Sequence, residues 1–156
     1  MKIIFLDIDG VLNSRDYDGR RDWGKQTNVD ESRLPLLKEI VDATGAKIVL
    51  SSTWREHWGS NNADCDSAGL YINNVFSKYG LRIYDKTPYM GLNVPRRDEI
   101  IKWLNDTKSY VDSFVILDDC PYDWDNLSDN FVKTNPNFGL GLEKEHVRKA
   151  IAILNK

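Results

Sequence analysis

Five short strand-like segments, several of them stopping at a polar or acidic group, alternate with amphipathic helical stripes. This pattern constrains the fold more than any other feature of the chain. Ile3 to Ile8 is a compact apolar run of the kind expected for a strand buried on both faces. Ile48-Val49-Leu50 and Phe114-Val115-Ile116-Leu117 are two more, Leu81-Arg82-Ile83-Tyr84 alternates, and Phe131 to Thr134 is a short fifth. Between them lie helical stripes. Leu34, Leu37, Ile40 and Val41 keep helical spacing from near Pro35 until Gly45 stops them, with Asp30 or Ser32 as cap. Further helices are expected over Leu70 to Tyr79, from Pro95 with Ile100, Ile101 and Leu104 inward, and from Leu142 to Leu154. Strands alternating with helices predict an α/β fold, a Rossmann-like three-layer sandwich on a parallel five-stranded sheet. No repeat or linker divides the chain, so one domain over 1–156 is expected. The polar stretch 13–30 forms a flap or small cap insertion.

Composition narrows the partners. The 156 residues carry a net charge of −3, which argues against a broad electrostatic grip on nucleic acid but leaves room for a local basic patch. Two cysteines, Cys65 and Cys120, make neither a disulfide framework nor a zinc spacing. No apolar stretch reaches membrane-spanning length, and the N-terminal apolar run is too short for a signal peptide. A cytosolic chain with free thiols and no membrane partner is the expectation. Of 24 acidic residues, 18 are Asp. Asp competes with the helical backbone for hydrogen bonds, so this excess points to loops, caps and metal chemistry rather than helix surfaces.

In a parallel sheet, ligands sit beyond the carboxyl ends of the strands. Asp7, Asp9 and Gly10 follow the first strand, Ser51, Ser52 and Thr53 the second, and Asp118, Asp119 and Asp123 the fourth. Carboxylates converging on one edge repel unless a cation intervenes, and hard oxygen donors at this density suit Mg²⁺ with a phosphate. A carboxylate can attack phosphorus, and a second carboxyl can protonate the leaving oxygen. Gly10 lets the backbone approach an anion closely. Hydroxyls and amides at Ser51 to Thr53 can hold phosphoryl oxygens, and Arg97 or Lys102 can offset the developing charge.

Phe5-Leu6-Asp7-Ile8-Asp9-Gly10-Val11-Leu12 matches the DxDG(V/T) first motif of the haloacid dehalogenase (HAD) superfamily phosphohydrolases. Ile48-Val49-Leu50-Ser51 resembles the second motif, with Ser52 competing for its hydroxyl position. Arg97, with Arg96 beside it, stands where the third motif places a cation, and Asp118-Asp119-x-x-x-Asp123 resembles the acidic fourth. The resemblance implies strand order 5-4-1-2-3, Asp7 as nucleophile and Asp9 as general acid/base. It also implies Mg²⁺ held by the Asp7 carboxylate, the Asp9 carbonyl and a fourth-motif Asp. Asp119 is the expected direct ligand, with Asp118 and Asp123 acting through water. About 40 residues separate Trp54 from Pro95, too few for a large cap. The runs FLDIDGVLN, IVLSSTWRE and FVILDDCPYD, with NPNFGLGL, look like the small HAD domains associated with RNA-repair proteins.

These motifs imply a Mg²⁺-dependent phosphatase whose substrate is a phosphorylated small molecule or a nucleic-acid end. Arg55 reads as a substrate contact or as a solvated helix residue. Trp54, Trp58 and Trp124 read as core or edge packing, with base stacking the alternative. Tyr17 and Trp23 sit in a flap of mixed charge, and His57 and His146 read as surface residues. A receiver-like signalling module is the rival, but there the acidic pair follows the first strand and the phosphorylated Asp the third.

Overall fold

The structure is a computed structural model that describes residues 1–17 and 28–156. Among the described residues, β1 (Lys2–Leu6), β2 (Lys47–Leu50), β3 (Ile83–Lys86), β4 (Ser113–Asp118) and β5 (Phe131–Lys133) form one all-parallel sheet in the order β3-β2-β1-β4-β5. This is the expected order read from the other edge. The helices are α1 (Leu34–Thr44), α2 (Ser67–Lys78), α3 (Arg96–Asp106) and α4 (Lys144–Leu154).

The apolar runs are continuous because the central strands are buried on both faces, and their residues divide by parity. Ile4, Leu6, Ile48, Leu50, Val115 and Leu117 pack on one side with Leu37 of α1, Phe76 of α2 and Val147 of α4. Ile3, Phe5, Val49 and Ile116 pack on the other with Ile100 and Trp103 of α3, and with Trp124 and Leu127 from the loop after β4. Connection handedness explains the division. The chain steps from β1 to β2 to β3 in one direction, then crosses back to β4 on the far side of β1. Right-handed crossovers put α1 and α2 on one face and α3 on the other. The order reverses between β1 and β4, so their carboxyl ends flank the natural ligand crevice.

Local hydrogen bonds account for the boundaries that periodicity misplaces. α2 starts at Ser67 rather than Leu70, because the Asp66 carboxylate accepts from the Ala68 and Gly69 amides. β3 starts at Ile83 rather than Leu81, whose amide still donates to Phe76 at the end of α2. β1 ends at Leu6 rather than Ile8, since the chain turns at Ile8, whose carbonyl accepts from the Val11 and Leu12 amides. α4 starts at Lys144, where Glu143 and His146 cap one another, and His146 is buried rather than at the surface. Gly45, in the left-handed region at φ 69°, ends α1 as expected. The expected flap or cap at 13–30 lies outside the described residues over 18–27, Trp23 included. No described helix is long and apolar enough to cross a membrane.

Candidate active site

The loop after β1 is built to hold two carboxylates at fixed positions. The Asp7 amide donates to the Leu117 carbonyl at 3.0 Å, which extends the β1–β4 pairing one residue past the strand. Gly10 adopts φ +83°, a conformation L side chains rarely take. A Cβ there would lie 2.5 Å from Cγ of Asp119, so the missing side chain is what lets the Asp119 carboxyl settle onto this loop. The Gly10 amide donates to Asn13 Oδ1 at 2.9 Å, and Asn13 Nδ2 donates to Asp9 Oδ1 at 3.0 Å. Trp54 Nε1 donates to the other Asp9 oxygen at 3.1 Å. Both oxygens of Asp9 are therefore oriented by side chains, one from its own loop and one from beyond β2.

The loop after β2 supplies hydroxyls, though not in the expected way. The Ser52 side chain hydrogen-bonds Asp7 and also accepts from the Trp54 amide at 3.3 Å. Ser51, favoured from its place at the strand end, is fully buried, and its hydroxyl has no partner among the described residues. Thr53 is exposed at the mouth of the same cavity. Arg55 does not line the Asp7 cavity and is not solvated. Residues Thr53–Glu56 form a single tight turn that points the guanidinium back toward the sheet. There Arg55 Nη2 donates to both Glu99 oxygens at 2.8 and 2.7 Å, and Nη1 donates to the Ser51 carbonyl at 2.8 Å. Both side chains of this ion pair are buried.

The cation of the site is Arg96, not Arg97. Neighbouring positions on a helix point about 100° apart, so only one of the pair can face the sheet edge. Arg96 Nη1 lies 3.3 Å from Asp7 Oδ1 and also donates to Asp118 Oδ2. Arg97 turns outward to Asp98 at 3.0 Å and Asp125 at 3.6 Å, and Lys102 pairs with Asp106 at 2.8 Å. Asp118 is fully buried between Arg96 and the Cys120 amide, so it positions the cation. Asp119 is left to face the cavity with Asp7 and Asp9. Asp123 stands apart. It is exposed, accepts from the Asp125 amide at 3.1 Å, and borders a neighbouring cavity instead.

The electrostatics follow from burial. Asp7 is 5% exposed, and burial pushes its carboxyl up to about 7, against the pull of Arg96 and with a further push from Asp118. Burial also raises Asp118, again opposed by Arg96. One guanidinium thus serves two buried carboxylates, which leaves the cluster short of positive charge. The cavity, of about 220 Å³, is lined by Asp7, Asp9, Gly10, Arg15, Thr53, Arg96, Asp119, Cys120 and Pro136. Its oxygen donors fit a hard divalent cation, with the carboxylates of Asp7 and Asp119 nearest to hand. Asp118, Asp119 and Cys120 also lie close enough together to share an ion, but Asp118 is already bound to Arg96. When ionised, a carboxylate held beside a guanidinium that also faces the substrate is suited to attack an electrophilic phosphorus.

Sequence reasoning missed Asn13 as the clamp on Asp9, although it stands in the quoted first run. Trp54 is half of the expectation. It packs at the core edge, as read, and its indole N–H also fixes Asp9.

The sequence model of the HAD domain in Swiss Army Knife RNA repair proteins matches residues 3–147, nearly the whole chain. No curated protein and no solved structure matches it.

Proposed function

The chain belongs to the family of HAD domains in Swiss Army Knife RNA repair proteins, and from that premise we propose a Mg²⁺-dependent phosphomonoesterase that works through Asp7. The observation that carries this reading is the placement of Asp7 between Arg96 and Ser52, in one cavity with Asp9 and Asp119. Asp7 attacks phosphorus as the bond to the leaving oxygen breaks, and Asp9 donates its proton to that oxygen. Water then attacks the acyl phosphate, Asp9 takes its proton back, and phosphate leaves Asp7 restored. Asn13 and Trp54 hold Asp9 in reach for both transfers. Arg96 compensates the charge on the phosphoryl oxygens, and the Ser52 hydroxyl fixes the Asp7 rotamer. Mg²⁺, when bound by Asp7 and Asp119, would shield the nucleophile from the anionic substrate. Asp118 acts only through Arg96.

The family description and the open rim of the cavity support a phosphorylated nucleic-acid end or nucleotide as substrate. The test is hydrolysis, with and without Mg²⁺, of 3′- and 5′-phosphorylated oligonucleotides, mononucleotides and ribose 5-phosphate. Phosphate release that depends on Mg²⁺ and on Asp7, with preference for the oligonucleotides, is the expected result. Release that survives Asp7→Asn refutes the nucleophile, and indifference to chain length refutes the nucleic-acid substrate.

A further inference from the structure

A second cavity, of about 540 Å³, adjoins the first and shares Thr53 and Arg96 with it. Its walls come from the segments that follow β2, β3 and β4 and from the first turn of α3, so it lies along the carboxyl edge of the sheet beside Asp7. Its character is aromatic and apolar, through Tyr89, Leu92, Val94 and Tyr122. Three of these are held in water at some cost: Leu92 is 94% exposed, Tyr89 52% and Tyr122 44%. The two rings are not loose. A guanidinium stands against each, with Arg55 Cζ 5.8 Å from the Tyr89 centroid and Arg96 Cζ 5.6 Å from that of Tyr122. Tyr122 also meets Trp124 edge to face. The opposite flank of the Asp7 cavity is different. It is polar, with Lys133, Asn135 and Asn137 continuing from Asp119 and Arg15.

We infer that the aromatic cavity seats the nucleobase of the leaving group, stacked on Tyr89 or Tyr122 while the phosphate lies at Asp7 and Arg96. The inference rests on the phosphatase reading for the position of the phosphate. A planar π system is the chemistry these rings recognise, and stacking tolerates any base. A bare sugar phosphate offers no such face, and an alkyl chain would bury the polar groups of Thr53 and Asn93 unpaired. The volume falls in the range of small-molecule sites. The base belongs either to a free nucleotide or to the last residue of a strand.

The test is calorimetric binding to the full chain carrying Asp7→Asn, which holds ligand without turning it over. One arm compares adenosine 5′-monophosphate with ribose 5-phosphate. The other compares a 3′-phosphorylated dinucleotide with the same molecule lacking its terminal base. The base-bearing ligand binds about tenfold tighter in at least one arm, and Tyr89→Ala or Tyr122→Ala brings that ratio toward one. The arm that shows the preference identifies the source of the base. A ratio of one in both arms, no binding by either base-bearing ligand, or a ratio that both substitutions leave intact overturns the inference. Hydrolysis of ribose 5-phosphate by the wild-type chain reads the phosphatase activity separately. Base preference with no hydrolysis of ribose 5-phosphate, mononucleotide or phosphorylated oligonucleotide by the wild-type chain refutes the activity and leaves the subsite standing, and hydrolysis without base preference does the reverse.

Discussion

Asp7→Asn is expected to make the metal-free protein more stable, in a way that depends on pH. Asp7 titrates at 3.8 in the unfolded chain and at about 7 in the fold, where burial is the dominant cause. A raised carboxyl pKa contributes stability that is complete below about 3.8 and lost as pH rises through about 7. The wild-type protein therefore loses stability across that window, because the charged form must be held out of water. Three units at about 1.4 kcal/mol each give about 4 kcal/mol. The side chain is 5% exposed, so solvent screening takes little from this figure. Asn is nearly the shape of the neutral acid and does not titrate. The variant should match wild type near pH 4 and exceed it by up to about 4 kcal/mol at pH 8. Asp118 titrates in both proteins, and removing the Asp7 charge eases its ionisation in the variant, which acts in the same direction. The assay is urea unfolding from pH 4 to 8 with a chelator present, read by tryptophan fluorescence. Added Mg²⁺ should stabilise wild type more than the variant, and so narrow the gap at pH 8. A variant less stable than wild type at pH 8, or a difference that does not change with pH, would refute the reasoning.

Other outcomes follow from the same geometry. Arg96→Ala strands Asp7 and Asp118 without a cation, and should lower kcat by about a hundredfold or more and stability by about 3 kcal/mol. Arg97→Ala should change stability by no more than about 0.5 kcal/mol and leave ribose 5-phosphate hydrolysis within about twofold; steady-state kinetics on the pair decides which arginine serves the site. Gly10→Ala forces a left-handed residue and displaces the Asp119 carboxyl, so Mg²⁺ affinity measured by thermal shift should fall, with a stability loss of about 1–2 kcal/mol. Glu99→Ala leaves the buried Arg55 unpaired and should cost about 3–5 kcal/mol in denaturant unfolding, although neither residue touches the Asp7 cavity.

What the sequence discloses and what it hides divide along physical lines. Asp7, Asp9 and Gly10 were legible because their roles are set within one turn after one strand, where spacing determines placement. The sheet was legible because strands buried on both faces write continuous apolar runs. Arg96 was not legible in the same way. Which of two adjacent arginines faces the sheet depends on the phase of α3, and one residue of helix rotates a side chain by about 100°. Arg55 depends on Glu99, 44 residues later, arriving beneath the same loop. The clamp of Trp54 on Asp9 spans 45 residues, and no local pattern encodes it. Ser52 rather than Ser51 reaches Asp7 because β2 stops at Leu50, and successive residues past a strand end point opposite ways. The fourth-motif resemblance groups Asp123 with Asp118 and Asp119, but the loop after β4 carries its side chain outward to a neighbouring cavity.

The central claim is that Asp7 becomes covalently phosphorylated. Acid quench of the wild-type protein within a single turnover of a phosphorylated substrate, followed by peptide mass spectrometry, reads this directly. The expected result is a hydroxylamine-sensitive phosphoryl group on the peptide that contains Asp7, accumulating further in Asp9→Asn with an aryl phosphate, whose leaving group needs no proton from Asp9 while the attack of water still does. Turnover with no phosphopeptide, or a phosphoryl group on a different residue such as Ser52, would contradict it.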